Sequence, residues 1–264
     1  MTSLRFFVEL VGMPLLLLIS MAIAMEIGSR VRRNHLSGDD EKDMEGLGVV
    51  DGAVFGLMGL LLAFAFSGAA ARFDHRRDLI TEEANDVGTA WLRIAVLPAA
   101  DQPAIRQKFR EYIDCRLATF QEGADDAAVQ KSLSKAGQLQ NEIWALATAS
   151  TARASSTSPA MLLLPSLNEM FDIVTTRSAA LMMHPPIVVF ILLMVVLTLC
   201  SLLAGYRMSG SSKSTHWTGL HRMSFVLILA ITYYVIVDLE YPRVGLIRVD
   251  SYDQILVQVR QSMD

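Results

Sequence analysis

The chain has 264 residues, of which 52% are hydrophobic and 19% are charged, and its formal net charge is −4. The charged share is below the roughly 25% of an average soluble domain, and the long apolar runs exclude a disordered chain and a small disulfide-stabilised fold. The basic residues are scattered, which excludes the basic patch of a nucleic-acid-binding protein. These properties are typical of an integral membrane protein.

Four segments are apolar enough to cross a bilayer, which takes roughly 20 residues of helix. They are residues 6–27, 47–71, 187–206 and 223–239. The first has a second interpretation, a signal peptide cleaved after Ala22-Ile23-Ala24, although its basic N-terminal region is thin and three more spans follow. Arginines and lysines flank the two sides of the spans in nearly equal numbers, so the orientation stays open.

The segment between the second and third spans is polar enough to be soluble, and its period is helical. Its first helix is predicted to continue span two without a break. That helix carries an apolar seam at alternating steps of four and three, made of Ile80, Ala84, Val87, Trp91 and Ile94. Residues 147–158, rich in alanine, serine and threonine, are the predicted linker within this insert.

No segment has the pattern of a strand, so the predicted fold is an all-α integral membrane protein. Four transmembrane helices carry a helical soluble insert between the second and the third. The predicted divisions are residues 1–71 with two spans, 72–184 with the insert, 185–241 with the last two spans, and 242–264 as an amphipathic C-terminal tail. The tail suits either the membrane surface or a place against the insert.

A row of small residues follows one side of the second span. This small-residue row consists of Gly48, Gly52, Gly56, Gly59, Ala63 and Ser67, at steps of four or three. Small side chains let helix backbones approach closely in lipid, where packing replaces the hydrophobic drive. Beyond the membrane the same side continues as an acidic row, made of Asp74, Asp78, Glu82 and Asp86.

Two interpretations of this helix remain open. In the first, the small-residue row packs against the other spans of the same chain and the acidic row is a solvated surface. In the second, several copies of the helix surround an axis, small side chains line a pore and the carboxylates ring its mouth.

The chain has no recognisable catalytic motif. Its five histidines are dispersed, whereas a zinc site takes three or four ligands with close pairs. It contains no Walker A loop, no dinucleotide fingerprint and no nucleophile elbow. We therefore expect neither an enzyme nor a metal or cofactor site.

Three charges close the fourth span: Asp238, Glu240 and Arg243. Ionisable groups at a membrane boundary are often functional. Glu240 and Arg243 are nevertheless three residues apart and could pair, and Pro242 stops the helix between them. We predict that these boundary charges anchor the structure, with ion handling as the alternative.

Several runs of the sequence resemble a known family. They are residues 56–67 (GLMGLLLAFAFS), 71–77 (ARFDHRR), 82–93 (EEANDVGTAWLR) and 238–249 (DLEYPRVGLIRV). In these runs the chain resembles the bacterial membrane proteins described as bestrophin-like. The resemblance implies a four-span helical protein of the bacterial inner membrane that contacts the lipid bilayer and forms a homo-oligomer.

Bestrophins proper are pentameric anion channels whose second helix lines the pore. The resemblance therefore implies that the small-residue row faces a pore for small ions, with Phe55, Phe64 or Phe66 as a hydrophobic constriction. The acidic row is a poor mouth for anions, so the permeant ion stays open. The predicted function is an oligomeric channel, and the alternative is a non-conducting scaffold or sensor whose insert binds a protein partner.

Overall fold

The structure of the protein is a computed structural model that describes residues 8–35, 43–121, 126–209 and 215–264. The described residues form eight α-helices and contain no strand, which confirms the all-α prediction. In chain order the helices are α1 (Met13–His35), α2 (Asp43–Arg93), α3 (Gln102–Gln121), α4 (Asp126–Arg153), α5 (Ser158–Met182), α6 (Ile187–Met208), α7 (Thr215–Glu240) and α8 (Asp253–Gln261). A π-helical turn, Val8–Gly12, precedes α1, and 3₁₀ turns follow α2 and precede α8.

Four helical stretches are long and apolar enough to cross a membrane, as predicted: Leu10–Asn34, Gly48–Val96, Ser158–Met208 and Trp217–Glu240. At 1.5 Å per residue the second stretch is about 75 Å long, more than twice a hydrocarbon core of about 30 Å, and the third consists of two separate helices, α5 and α6. In the second stretch no charged residue lies between Asp51 and Arg72, and Pro185-Pro186 separates α5 from α6 in the third. The spanning parts of these two stretches are therefore residues 48–71 and α6.

The chain divides into two compact units. Of the described residues, the membrane unit comprises those from Val8 to Ala71 and from His184 to Tyr241, and the insert unit comprises those from Arg72 to Met183 and from Pro242 to Asp264. Helix α2 is continuous over 51 residues because no proline interrupts it, so it contributes its first part to the membrane unit and the rest to the insert unit.

In the membrane unit, α1 and α6 cross in backbone contact at two glycines. A Cβ atom on Gly28 would lie 2.0 Å from the carbonyl oxygen of Leu202, and one on Gly205 would lie 2.0 Å from that of Met25. Neither position has room for a side chain. Among the described glycines, Gly28 and Gly205 mark the closest approach of two spans of one chain. The glycines of the small-residue row do not mark such an approach.

The insert unit has its own apolar core, formed by α2, α3, α4, α5 and the C-terminal residues. All five residues of the predicted seam are buried, Trp91 being the most exposed of them at 8%. Tyr112 and Phe109 of α3 are completely buried opposite them. The predicted linker is wrong for most of its length: α4 continues to Arg153, because alanine is a strong helix former.

The C-terminal helix α8 packs in the insert unit. Of the two places predicted for the tail, the membrane surface and the insert, it occupies the second. Leu256 and Met263 are buried in the core of that unit. Arg260 forms an ion pair with Asp114 of α3 at 2.7 Å, and Arg110 donates to the backbone oxygen of Met263 at 2.7 Å. The tail is therefore part of the insert's packing.

Candidate functional site

The small-residue row of α2 is open from Gly52 onward, whereas a Cβ atom on Gly48 would lie 3.4 Å from a side-chain nitrogen of Arg207 in α6. All six residues of the row are exposed in the chain. A Cβ atom built on Gly52, Gly56 or Gly59 would meet no atom within 4 Å. Within the described residues, the row therefore does not serve as a packing surface against the other spans of its own chain.

Helix α2 is also the span that its own chain buries least. Only 6% of its most apolar stretch is buried, against 33%, 33% and 50% in the other three. The buried side carries Met58, Leu62 and Ala69, and here Phe55 contacts Phe225 of α7 edge-to-face with ring centroids 6.2 Å apart. The remaining circumference needs lipid or another protein surface.

Of the three phenylalanines proposed as a constriction, Phe55 and Phe66 lie on the side of the small-residue row, and Phe64 lies on another side of α2. Each residue turns the helix by about 100°, so Phe66, seven residues after Gly59, lies about 20° from it. Phe64, which is 67% exposed, lies about 140° from Gly59. Phe55, four residues before Gly59, lies about 40° from it, but its ring contacts Phe225 of α7, whereas Phe66 is 46% exposed. Of the three, Phe66 has the position that the predicted role requires.

The acidic row follows α2 into the insert unit. Asp74, Asp78 and Glu82 are exposed, and Asp86 is partly exposed. Asp74 forms an ion pair with Arg77 at 2.8 Å. Burial, together with the negative charges of neighbouring glutamates, raises the pKa of Asp86 above its usual value. The row is therefore a strip of like charge that favours a cation or a basic neighbour.

A family model for the bestrophin-like domain matches residues 15–252, which include most of the first span, the other three spans and the insert. The chain belongs to the bestrophin-like family. No curated protein and no solved structure matches it. Family membership and the apolar helices together make it a membrane-type protein.

The buried charges of the insert unit of this bestrophin-like chain centre on Glu83, which was not among the predicted site residues although its exposed neighbour Glu82 was. Glu83 is completely buried in the insert unit. It accepts hydrogen bonds from Arg116 of α3, at 2.8 and 3.2 Å, and from Arg177 of α5. Burial opposes its ionisation, but the two guanidinium groups outweigh that effect and hold the pKa of Glu83 below its usual value.

One sequence signal could have identified Glu83. It lies three residues after Ile80 and four before Val87, which places it on the buried seam. Arg76 occupies the same side of α2, is 4% exposed and donates to the backbone oxygens of Ala180 and Met183 at 3.1 and 2.9 Å. The charged residues of this side therefore fix α2 against α5 within the insert unit.

The predicted boundary charges fall into two settings. Asp238 and Glu240 are buried at the end of α7, where Tyr234 donates to Asp238 at 3.1 Å and His184 lies 3.5 Å from Glu240. Arg243 is bound by Asp253, with one contact at 3.1 Å, and by Asp250 at 3.3 Å. These contacts agree with anchoring, which stays a prediction.

In the part of the chain that the structure describes, no three His, Cys, Asp or Glu side chains lie close enough together to hold a metal ion. Cys115 and Cys200 are both free and buried. The open surface of α2 is therefore the arrangement with the clearest functional potential.

Proposed function

We propose that this bestrophin-like protein is an oligomeric membrane channel that passes small ions along an axis lined by α2. The observation that carries the proposal is the open small-residue row, which has room on all sides of Gly52, Gly56 and Gly59 in the single chain. A span so little buried by its own chain is expected to meet other copies of the chain. Four spans are too few to enclose a conduit alone.

Around a shared axis, the row would present small side chains and helix backbone to the path, and Phe66 would narrow it. The carboxylates of Asp78 and Glu82 would stand at the mouth, where they raise the local concentration of cations. The alternative is a scaffold, in which the same rows of neighbouring copies close on each other with no path between them. The channel needs no cofactor and includes no catalytic step.

The test is ion flux through the full chain reconstituted into liposomes. We expect the wild type to conduct and the double variant Asp78→Asn with Glu82→Gln to lower the cation-to-anion permeability ratio several-fold, because both mouth charges are removed. Asp172→Asn is the matched control, since Asp172 is an exposed acid on α5 outside the row. A folded wild type without flux would favour the scaffold, and an unchanged ratio in the double variant would remove the acidic row from the pore mouth.

A further inference from the structure

A second charged feature lies at one end of the membrane unit, where α1 and α6 end and α7 begins. Five arginines meet there, and the structure gives them two carboxylates as partners. The arginine cluster consists of Arg30, Arg32, Arg33, Arg207 and Arg222, and the carboxylates are those of Glu26 and Asp51. We propose that this cluster binds the phosphate group of an anionic lipid, a role that is independent of ion conduction.

The arginines are held in place by contacts among three helices. Arg32 of α1 donates to the last carbonyl oxygens of α6, those of Tyr206 and Arg207, at 3.4 Å each, and lies over the Tyr206 ring at 5.5 Å. Arg222 of α7 donates to the hydroxyl oxygen of Ser209 at 2.6 Å. The guanidinium groups are therefore already ordered, which reduces the entropy that ligand binding would cost.

Among the residues that the structure describes, two carboxylates contact these five guanidinium groups, which leaves an excess of positive charge there. Glu26 is shared by Arg30 at 2.9 Å, Arg33 at 3.0 Å and Arg222 at 4.0 Å, while Asp51 pairs with Arg207. One nitrogen on each of three arginines is buried without an acceptor among the described residues: Nε of Arg32, Nη2 of Arg207 and Nε of Arg222. The cluster therefore has more donors than its protein acceptors use, and an anion would supply acceptor oxygens to the exposed edges of these guanidinium groups.

Phosphate oxygens suit these donors because guanidinium groups bind them in a two-pronged geometry. The outer edges of the groups are reachable, since 30% of the Arg207 side chain and 22% of the Arg222 side chain are exposed. Lipid headgroups lie at the ends of membrane-spanning helices, and basic pockets between such helices bind anionic headgroups.

The surface of α1 provides the place for the lipid's acyl chains. Ile23, Ile27 and Val31 are exposed by 55%, 47% and 42% and follow each other at steps of four. This apolar stripe runs along the span toward Arg30. A lipid lying on it would carry its phosphate to the arginine cluster, and this continuity favours a lipid over a free phosphate ion.

The test uses the purified full chain in a neutral detergent and follows its thermal unfolding with three additives: short-chain phosphatidylglycerol, short-chain phosphatidylcholine and inorganic phosphate. We expect phosphatidylglycerol to raise the midpoint by about 2–4 °C and the other two to raise it far less. The double variant Arg207→Gln with Arg222→Gln should lose most of that rise. Arg153→Gln, an exposed arginine of the insert unit, is the matched control and should keep it.

A second pair of substitutions keeps the test informative if the first double variant does not fold. Arg30 and Arg33 have side chains that are 70% and 57% exposed, so Arg30→Gln with Arg33→Gln is expected to fold and to reduce the rise. Equal rises with both lipids, or a full rise in every folded arginine variant of the cluster, would overturn the proposal. If inorganic phosphate raised the unfolding midpoint as much as phosphatidylglycerol does, the cluster would bind free phosphate, and the proposal that the ligand is a lipid would be overturned.

Discussion

Replacing Glu83 by glutamine is expected to destabilise the insert unit by about 3–5 kcal/mol, because removal of one partner leaves buried charges uncompensated. Arg116 and Arg177 are only 4% and 7% exposed, so water cannot replace the lost carboxylate. The midpoint of thermal unfolding of the full chain should fall by about 10 °C. Circular dichroism in detergent measures this fall directly.

The matched control is Glu82→Gln, next to Glu83 but exposed, and its effect on the free energy of unfolding should stay within about 0.5 kcal/mol.

The pH dependence of stability gives a second check. Because the pKa of Glu83 is lower in the folded state than its usual 4.5, the stabilisation by its charge is complete above about pH 4.5 and is lost as the pH falls through the folded-state pKa. The wild type and Glu83→Gln should therefore converge in stability in acid. Equal midpoints at neutral pH would refute the buried ion cluster.

Replacing Gly205 by alanine should separate α1 from α6. The new methyl group would lie 2.0 Å from the carbonyl oxygen of Met25, and backbone cannot move aside as a flexible side chain can. Overpacking of this kind costs about 1–3 kcal/mol, and we expect the upper end of that range. The measurement is the thermal midpoint of the detergent-solubilised chain, followed by size-exclusion chromatography for aggregation.

Gly28→Ala should act in the same way, since its methyl group would meet the carbonyl oxygen of Leu202. Gly219→Ala is the matched control, because a Cβ on this glycine of α7 meets no atom within 4 Å. Wild-type stability in both Gly205→Ala and Gly28→Ala would mean that the two spans do not cross at these glycines.

The architecture was predictable because it depends on local patterns. Long apolar runs identify the spans, and the three-and-four spacing from Ile80 to Ile94 identifies the buried seam without knowledge of its partners. The exposure of the small-residue row was not predictable, since the same glycines suit packing within one chain or between chains. Which of the two applies depends on where the other spans lie.

Pairings between distant residues were likewise out of reach. Glu83 binds arginines 33 and 94 residues away, and nothing in the local pattern selects Arg116 and Arg177 among the other arginines of the insert. Gly28 and Gly205 are single glycines in apolar helices, and nothing in the sequence around either one shows that it faces another helix. Their role is visible only once α1 and α6 are placed side by side. The same holds for the arginine cluster, whose members come from three separate helices.

The most direct measurement of the central claim is thiol cross-linking between copies of the full chain in membranes. Gly59→Cys places a thiol in the small-residue row, and Phe64→Cys places an exposed thiol about 140° around the same helix. The native Cys115 and Cys200 are buried and should contribute little background. With bifunctional reagents of graded length, we predict linked pairs of copies for Gly59→Cys and little linkage for Phe64→Cys. Efficient linkage at Phe64 with none at Gly59 would contradict an axis lined by α2.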